Sequence, residues 1–349
     1  MQFHKTARLF ASAGLLSLAA CSGGGGGSGG SIVNGPVVTP PTNTTNITGV
    51  TAMGYGGATP TEATGPTPNF NNSLPPNGSV FALDQAAITV TPTSANGINA
   101  GAGTATLSFV TSGGVITPIV DLKIPSLGIN ATGLNGDGTA KIQADGSSVS
   151  VFVTGLTYTL LGTWNRQPAD KSSSTIGVAV GGYQTPAASV PTTGTATYIG
   201  NSSTGATAGG VVGSVVVPSS SGGIVAATVQ GDVNLSVNFG TQQVNGTLSN
   251  MTAKNVLSNA TSPWNNVTLT GTLSQSAGST SRGAIITGTT QAQAAPSGAT
   301  FGMSSSATGV VSGALFGPNA TEVGAVWSVN EGSGTNGKTA FGIFGGTKQ

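Results

Sequence analysis

Short runs of apolar and β-branched residues follow one another along the chain after Val80, separated about every eight to twelve residues by Gly, Pro or Asn. Apolar and polar residues alternate within several runs, as in Thr104–Val110 and Val149–Val153. Alternation with a period of two between turn-forming residues is typical of β-strands, and no stretch shows the 3.6-residue apolar repeat of a helix. The pattern predicts an all-β protein.

A break in this rhythm lies between Gly181 and Pro191, where two Gly and two Pro interrupt the strand pattern. Regular strand-like runs follow it, at Ala196–Ile199, Val233–Phe239, Val244–Leu248, Val267–Leu273, Ala284–Thr287, Val310–Phe316, Gly324–Val329 and Ala340–Phe344. About eight such strands predict a closed antiparallel β-barrel. Closure would remove the exposed strand edges that a chain with only 5% charged residues can hardly guard.

Residues 22–78 differ from the rest in being rich in Gly, Thr, Pro, Asn and Ser, with few large apolar side chains. Such a segment cannot bury enough apolar area to offset the entropy of ordering it. We therefore expect a disordered leash with a root-mean-square reach of roughly 40 Å.

The N-terminus has the pattern of an export signal. Lys5 and Arg8 precede an apolar stretch from Leu9 to Leu18, which is too short to span a bilayer, and small residues follow. Leu18–Cys21 reads Leu-Ala-Ala-Cys and resembles the bacterial lipobox, in which the Cys thiol is acylated and becomes the new N-terminus. We predict that residues 1–20 are removed and that lipid on Cys21 anchors the protein to a membrane. By the same resemblance, Ser22 at the next position favours the outer membrane.

Composition excludes many functional classes. The only His is His4 and the only Cys is Cys21, so the mature chain lacks the residues of Ser-His-Asp or Cys-His catalysis, His or Cys zinc sites and His-ligated haem. Loss of Lys5 and Arg8 with the signal leaves eight basic and nine acidic side chains. Nucleic-acid binding depends on clustered Lys and Arg, so no nucleic-acid partner is expected. The spacing of the carboxylates brings no two together as a glycosidase pair, and we expect no enzyme activity, metal or cofactor.

One stretch matches a known nucleotide-binding pattern. Gly332–Thr339 fits GxxxxGK[ST], but a phosphate-binding loop needs a helix after it, and the following Ala340–Phe344 is strand-like and Gly-rich. A hairpin loop between the last two strands is the better interpretation, and loss of ATP or GTP binding in Lys338→Ala is what would overturn it.

Several segments of the second half resemble the β-barrel domain of the transferrin-binding protein B and factor H-binding surface lipoprotein superfamily. They are Pro191–Gly200, Leu235–Phe239 through Val244–Leu248, Phe316–Trp327 and Phe341–Lys348. Upstream, Tyr158–Trp164 and Gly181–Thr185 resemble the end of the small β handle domain that precedes this barrel. The resemblance implies a leash, a handle domain at residues 79–190 and an eight-stranded antiparallel barrel at residues 191–349.

The most specific matching motif contains Phe316, Gly317, Pro318, Glu322 and Gly324. Pro318 fixes φ and Asn319 tolerates turn geometry, so the chain can turn here, and Glu322 can accept backbone N–H bonds that hold the turn against the next strand. We interpret the motif as structural, with a ligand or catalytic role for Glu322 as the alternative.

Trp264 is the large aromatic residue most expected to be exposed, because it lies in the loop-like stretch Ser262–Asn266. It is therefore the candidate anchor for a protein partner.

From the sequence as a whole we expect a non-enzymatic, surface-exposed outer-membrane lipoprotein. The resemblance implies that it binds a host or environmental protein or an iron- or haem-containing ligand, and that a dedicated outer-membrane translocon exports it. The alternative is a structural envelope lipoprotein without a discrete ligand.

Overall fold

A computed structural model describes two groups of residues. The first is four two-residue strands, β1 (Ile47–Thr48), β2 (Met53–Gly54), β3 (Gly56–Gly57) and β4 (Glu62–Ala63). The second is residues 79–349 except 91–94, 99–102, 113–114, 157, 186–188, 203–208, 220–223, 276–283 and 332–336. The signal, Cys21 and most of the leash lie outside the described residues. Within the leash, β1 pairs with β4 and β2 with β3.

The first large sheet, called the handle sheet below, follows the chain from Ser79 to Gly182. Its strands are β5 (Ser79–Val90), β6 (Ala95–Ile98), β7 (Gly103–Ser112), β8 (Val115–Ile124), β9 (Ile129–Asn135), β10 (Lys141–Ile142), β11 (Ser148–Gly155), β12 (Thr159–Gln167) and β13 (Ser174–Gly182). They pair in the order β10-β11-β12-β13-β5-β7-β8-β9, with β6 beside β5. A short 3-10 helix, Pro125–Leu127, joins β8 to β9.

The handle sheet curls back on itself. The segment after β9 returns to β11, where Gly138 N–H donates to Val151 O at 2.9 Å and Val153 N–H donates to Gly136 O at 3.0 Å. The inward face of the curl is apolar and includes Phe81, Leu122 and Trp164. The curled handle sheet therefore encloses buried apolar side chains.

The second sheet contains β14 (Thr195–Asn201), β15 (Gly210–Pro218), β16 (Ile224–Asn238), β17 (Gln243–Asn255), β18 (Thr261–Pro263), β19 (Val267–Gln275), β20 (Ala284–Ala292), β21 (Thr308–Phe316), β22 (Glu322–Glu331) and β23 (Lys338–Lys348). Pairing runs β16-β15-β23-β22-β21-β20-β19-β17 and returns to β16, so the sheet closes into an eight-stranded antiparallel barrel. The predicted all-β fold with a handle and a closed barrel is confirmed.

One barrel position is occupied by two strands. β14 pairs with β16 as far as Asn201, opposite Asp232, and β15 resumes the pairing at Val211, opposite Gly231. The sequence pattern identifies β14 but misses β15, whose run from Gly210 to Pro218 has no polar alternation. The count of eight holds because β14 and β15 share one place in the wall.

Alternation along the strands separates the inside of the barrel from the outside. On β16, Val233, Leu235 and Val237 are buried, whereas Asn234 lies exposed between them. This is the period-two pattern of a strand with one face in a core. The inward residues form one cluster with Trp264 and Trp327.

Part of the outer wall is also apolar. Outward residues of β15, β21, β22 and β23, together with the first residue of β16, belong to the same hydrophobic cluster as the handle core: Val216, Ile224, Ala314, Phe316, Val326, Phe341 and Ile343. The handle sheet therefore packs against this side of the barrel and covers it.

Candidate functional site

The sequence motif around Phe316 lies where the handle sheet meets the barrel, a contact called the joint below. Glu322, the first residue of β22, is 3% exposed. Its Oε2 accepts the backbone N–H of Tyr158 at 2.9 Å and the hydroxyl of Thr159 at 2.9 Å. Glu322 is thus a hydrogen-bond acceptor as expected, but its partners belong to the handle sheet and not to the neighbouring strand.

A second contact of the joint comes from the end of the handle. Thr185 N–H donates to Leu315 O at 2.9 Å, and Gly317 N–H donates to Tyr183 O at 2.8 Å. Gln184 forms a bridge with Phe316 between these two bonds. Residues 183–185 therefore add a short antiparallel strand to the end of β21.

The turn between β21 and β22 has a backbone that few residues adopt. Gly317, Asn319 and Ala320 have φ values of 74°, 55° and 56°. A Cβ at Gly317 would lie 2.5 Å from Cδ2 of Tyr158, so no other residue fits there. Pro318 and Ala320 are buried within a 3-10 segment, Pro318–Ala320.

Tyr198 holds this turn from inside the barrel. Its hydroxyl donates to Ala320 O at 2.8 Å, and burial raises the pKa of Tyr198 above its ordinary value. Burial also raises the pKa of Tyr158, and the nearby negative charge of Glu322 adds to that shift. Both phenols therefore stay protonated at neutral pH.

Gly324 completes the motif for a packing reason. A Cβ there would lie 2.6 Å from Cγ2 of Thr159 and 3.0 Å from Cγ1 of Val180. The absence of a side chain lets β12 and β13 approach β22 closely. All five motif residues thus act at or beside the joint, and their arrangement fixes the handle to the barrel.

The expectation that Trp264 is exposed is wrong. Its side chain is 1% exposed, its Nε1 donates to Phe301 O at 2.9 Å, and its ring lies 6.1 Å from that of Trp327. The residue follows the three-residue strand β18 at the barrel end and turns inward. The signal that sequence reasoning lacked is the contact with Phe301, which lies 37 residues away in the chain.

The connection between β20 and β21, residues 293–307, closes that end of the barrel and is called the plug below. Phe301 and Met303 are each 2% exposed and belong to the interior cluster. Asn265, which is completely buried, donates to Gln293 O at 2.7 Å and to Met303 O at 2.9 Å, and accepts Met303 N–H at 2.8 Å. Side chains therefore fill this end of the barrel, and a ligand cannot enter through it without moving the plug.

Lys338 of the GxxxxGK[ST] stretch contacts the plug. Lys338 begins β23, and its Nζ donates to Gly302 O at 2.8 Å and lies 3.4 Å from Oε1 of Glu331. The residue after the pattern continues a strand, whereas a phosphate-binding loop requires a helix. Lys338 is engaged in holding the plug, and Gly332–Asn336 lie outside the described residues.

Few features of the described residues suggest chemistry. No group of three or more His, Cys, Asp or Glu side chains that could hold a metal occurs in that part of the chain. A cavity of about 20 Å³ lies inside the handle sheet, lined by apolar side chains that include Leu122, Trp164 and Ala179. This volume is about that of one water molecule, so it cannot take a cofactor. None of the helices in the described residues is long and apolar enough to cross a bilayer.

Comparison with known proteins finds a family model that matches the barrel region. Residues 190–348 match the family model of the C-lobe and N-lobe β-barrels of transferrin-binding protein B. A variant of transferrin-binding protein B from Haemophilus parasuis is 16% identical, with 76% of this chain and 45% of that chain covered and a TM-score of 0.41. Transferrin-binding protein B from serogroup B Neisseria meningitidis is 19% identical, with 76% of this chain and 43% of that chain covered and a TM-score of 0.38.

The chain thus spans less than half the length of the solved transferrin-binding proteins that it matches. Comparison with curated protein sequences gives no significant match. Over residues 190–348, this chain is similar to the β-barrels of transferrin-binding protein B.

Proposed function

We propose that this chain is a non-enzymatic outer-membrane lipoprotein, exposed at the cell surface, that binds a host or environmental protein or an iron- or haem-containing ligand. The observation that carries the proposal is the match of residues 190–348 to the barrels of a protein named for binding transferrin. Export by an outer-membrane translocon belongs to the same proposal. The proposal does not name the ligand, because this chain covers less than half the length of the solved transferrin-binding proteins.

The filled interior supports a binding site on the outer surface. Trp264, Phe301 and Met303 occupy the end of the barrel, so the described side chains leave no opening for a small ligand at the plug. This closed end favours binding through the outer wall and the loops. Antiparallel alternation places three connections besides the plug at this end, between β15 and β16, between β17 and β19 and between β22 and β23.

Leu257 is the side chain at that end that best fits a partner contact. It is 46% exposed, and only two other large apolar residues are comparably exposed in the described part of the chain. The Asn255 side chain accepts the N–H groups of Leu257 and Ser258 at 2.8 and 3.1 Å. A pre-shaped loop loses little entropy on binding, which favours Leu257 as an anchor in place of Trp264.

A pull-down from host fluids tests the proposal, with a haem titration followed in the Soret region beside it. We expect a captured protein or a haem spectrum with the wild-type chain, weakened by Leu257→Asp. Ile142→Asp, at an exposed position of the handle sheet, is the matched control and should bind as wild type. No capture and no haem spectrum, on cells where surface exposure is established, would favour a structural envelope lipoprotein instead.

The anchor needs its own test because Cys21 lies outside the described residues. Cys21→Ala should move the protein from the membrane fraction to the soluble fraction, since a protein without acyl chains loses about 0.8 kcal/mol for each buried methylene. Continued membrane attachment of Cys21→Ala would contradict the lipid anchor and leave the ligand-binding proposal standing.

A further inference from the structure

The hairpin of β7 and β8 extends past its neighbour in the handle sheet. β5 pairs with β7 from Ser79, opposite Leu107, to Leu83, opposite Gly103. β7 continues to Ser112, paired only with β8. Ser79, the first residue of β5, lies opposite Leu107. In the described part of the chain, no strand pairs with Ser108–Ser112 on that side of β7.

The sequence disfavours a continuation of β5 along this edge. Extending the same register would place Pro76 opposite Val110 and Pro75 opposite Thr111. Proline has no backbone N–H and cannot form the ladder of a strand. A continuation of β5 in this register would therefore place two residues without a backbone N–H opposite the edge.

This edge also lacks the usual protection against pairing. Proteins guard open edges with Lys, Pro, bulges or inward charges. From Gly103 to Thr117 the hairpin contains no charged residue and no proline, whereas Pro118 guards the β8 side. Val110 is 53% exposed on this open strand.

The open segment is nearly symmetric about its centre. Ser108–Ser112 reads Ser-Phe-Val-Thr-Ser. Antiparallel pairing of two copies about Val110 would place Ser108 opposite Ser112, Phe109 opposite Thr111 and Val110 opposite itself. Such an arrangement is an isologous, two-fold contact without like charges, and β-branched and aromatic residues favour it.

We propose that the edge Ser108–Ser112 of β7 pairs with the same edge of a second copy of this chain, joining two handle sheets into one continuous sheet. The contact is short, well below the roughly 1,000 Å² of a stable interface, so the dimer is weak and appears at high protein concentration. Attachment of both copies to one membrane would raise their effective concentration.

Sedimentation velocity of the mature chain carrying Cys21→Ser, over increasing protein concentration, tests the proposal. We expect the wild-type sequence at position 110 to shift from monomer to dimer. Val110→Lys and Val110→Glu should each stay monomeric, because two like charges face each other across the two-fold axis. An equimolar mixture of the two variants should regain the dimer, since Lys then faces Glu.

The control is Ile142→Lys, which adds the same charge at another exposed apolar position and should dimerise as wild type. Far-UV circular dichroism of each variant establishes that it has folded. A wild-type chain that stays monomeric up to its solubility limit would overturn the proposal. So would a dimer that persists in Val110→Lys, or a mixture of the Lys and Glu variants that remains monomeric.

Discussion

Glu322 Oε2 accepts the backbone N–H of Tyr158 at 2.9 Å, across the boundary between the barrel and the handle sheet. The two residues are 164 positions apart in the chain. Among the described side chains, Glu322 is the only Asp, Glu, Lys or Arg that is buried. A buried carboxylate is costly unless donors surround it, so its place at the joint makes that contact specific.

Glu322→Ala should loosen the joint. The change leaves the Tyr158 N–H and the Thr159 hydroxyl without this acceptor, and each unsatisfied buried group costs about 1–3 kcal/mol. We expect faster amide exchange at Tyr158 and a lower free energy of unfolding.

Glu322→Gln is the matched control for that loss, because its amide oxygen can still accept both bonds. It should keep slow exchange at Tyr158. Equal exchange rates in Glu322→Ala and the wild type would show that the carboxylate does not hold the joint.

Filling the handle cavity should stabilise the protein. A Cβ at Gly162 would have only ordinary contacts, the nearest being Phe152 O at 3.8 Å, and Gly162 lines the cavity. Gly162→Ala lowers the entropy of the unfolded chain and buries one methyl group, so unfolding should require about 1 kcal/mol more. Urea denaturation measures the difference.

Gly313→Ala is the opposite case in the barrel wall. Its Cβ would lie 2.2 Å from Gly324 O and 2.4 Å from Cβ of Ala325. We expect a destabilisation of about 1–3 kcal/mol from this overpacking, by the same denaturation measurement. Similar stability of the Gly162→Ala and Gly313→Ala variants would show that the two sites do not differ as described.

Asn265→Ala should release the plug. It removes three hydrogen bonds and leaves the Met303 N–H and C=O groups unsatisfied in a buried place, which should cost about 2–4 kcal/mol. Because Trp264 bonds to the same plug, its fluorescence should shift toward that of an exposed indole. Asn266→Ala, one residue further, should change neither quantity, and a Trp signal unaltered by Asn265→Ala would argue against the plug.

Alkaline pH should destabilise the fold through Tyr198. Its pKa is raised in the folded protein, so the stability that the neutral phenol contributes is complete below about pH 10, the unfolded pKa, and is lost as pH rises toward the folded value. Tyr198→Phe should cost about 1 kcal/mol at neutral pH by loss of the bond to Ala320 O, yet weaken the decline above pH 10. Denaturation at pH 8 and above pH 10 measures both; an unaltered decline in Tyr198→Phe would assign it to other groups, among them Tyr158.

Local sequence patterns predict the strands well because burial on one face of a sheet repeats every two residues. Val233, Leu235 and Val237 on β16 show this directly. β15 does not show this alternation. The handle sheet buries Val216 on its outer side, and the barrel core buries Val215 on its inner side. A strand buried on both faces loses its alternation.

The sites were less accessible to prediction because their contacts are distant in sequence. The turn around Glu322 predicts that its carboxylate accepts hydrogen bonds. No neighbouring residue in the sequence indicates that Tyr158 is a donor to it. Trp264 next to Pro263 and two Asn residues has the composition of a loop, and only the plug explains its burial. Resemblance to a family located the motif, and the three-dimensional contacts gave its role.

The divided strand in the barrel wall also has a consequence for how this protein can vary. Asp232 and Gly231 are adjacent on β16. The residues opposite them are Asn201, at the end of β14, and Val211, in β15. Closure of the wall therefore does not depend on the length of what lies between, and lengthening a loop costs little entropy. A peptide grafted between β14 and β15 would leave the pairing of the barrel wall intact, which makes this position suitable for engineered insertions.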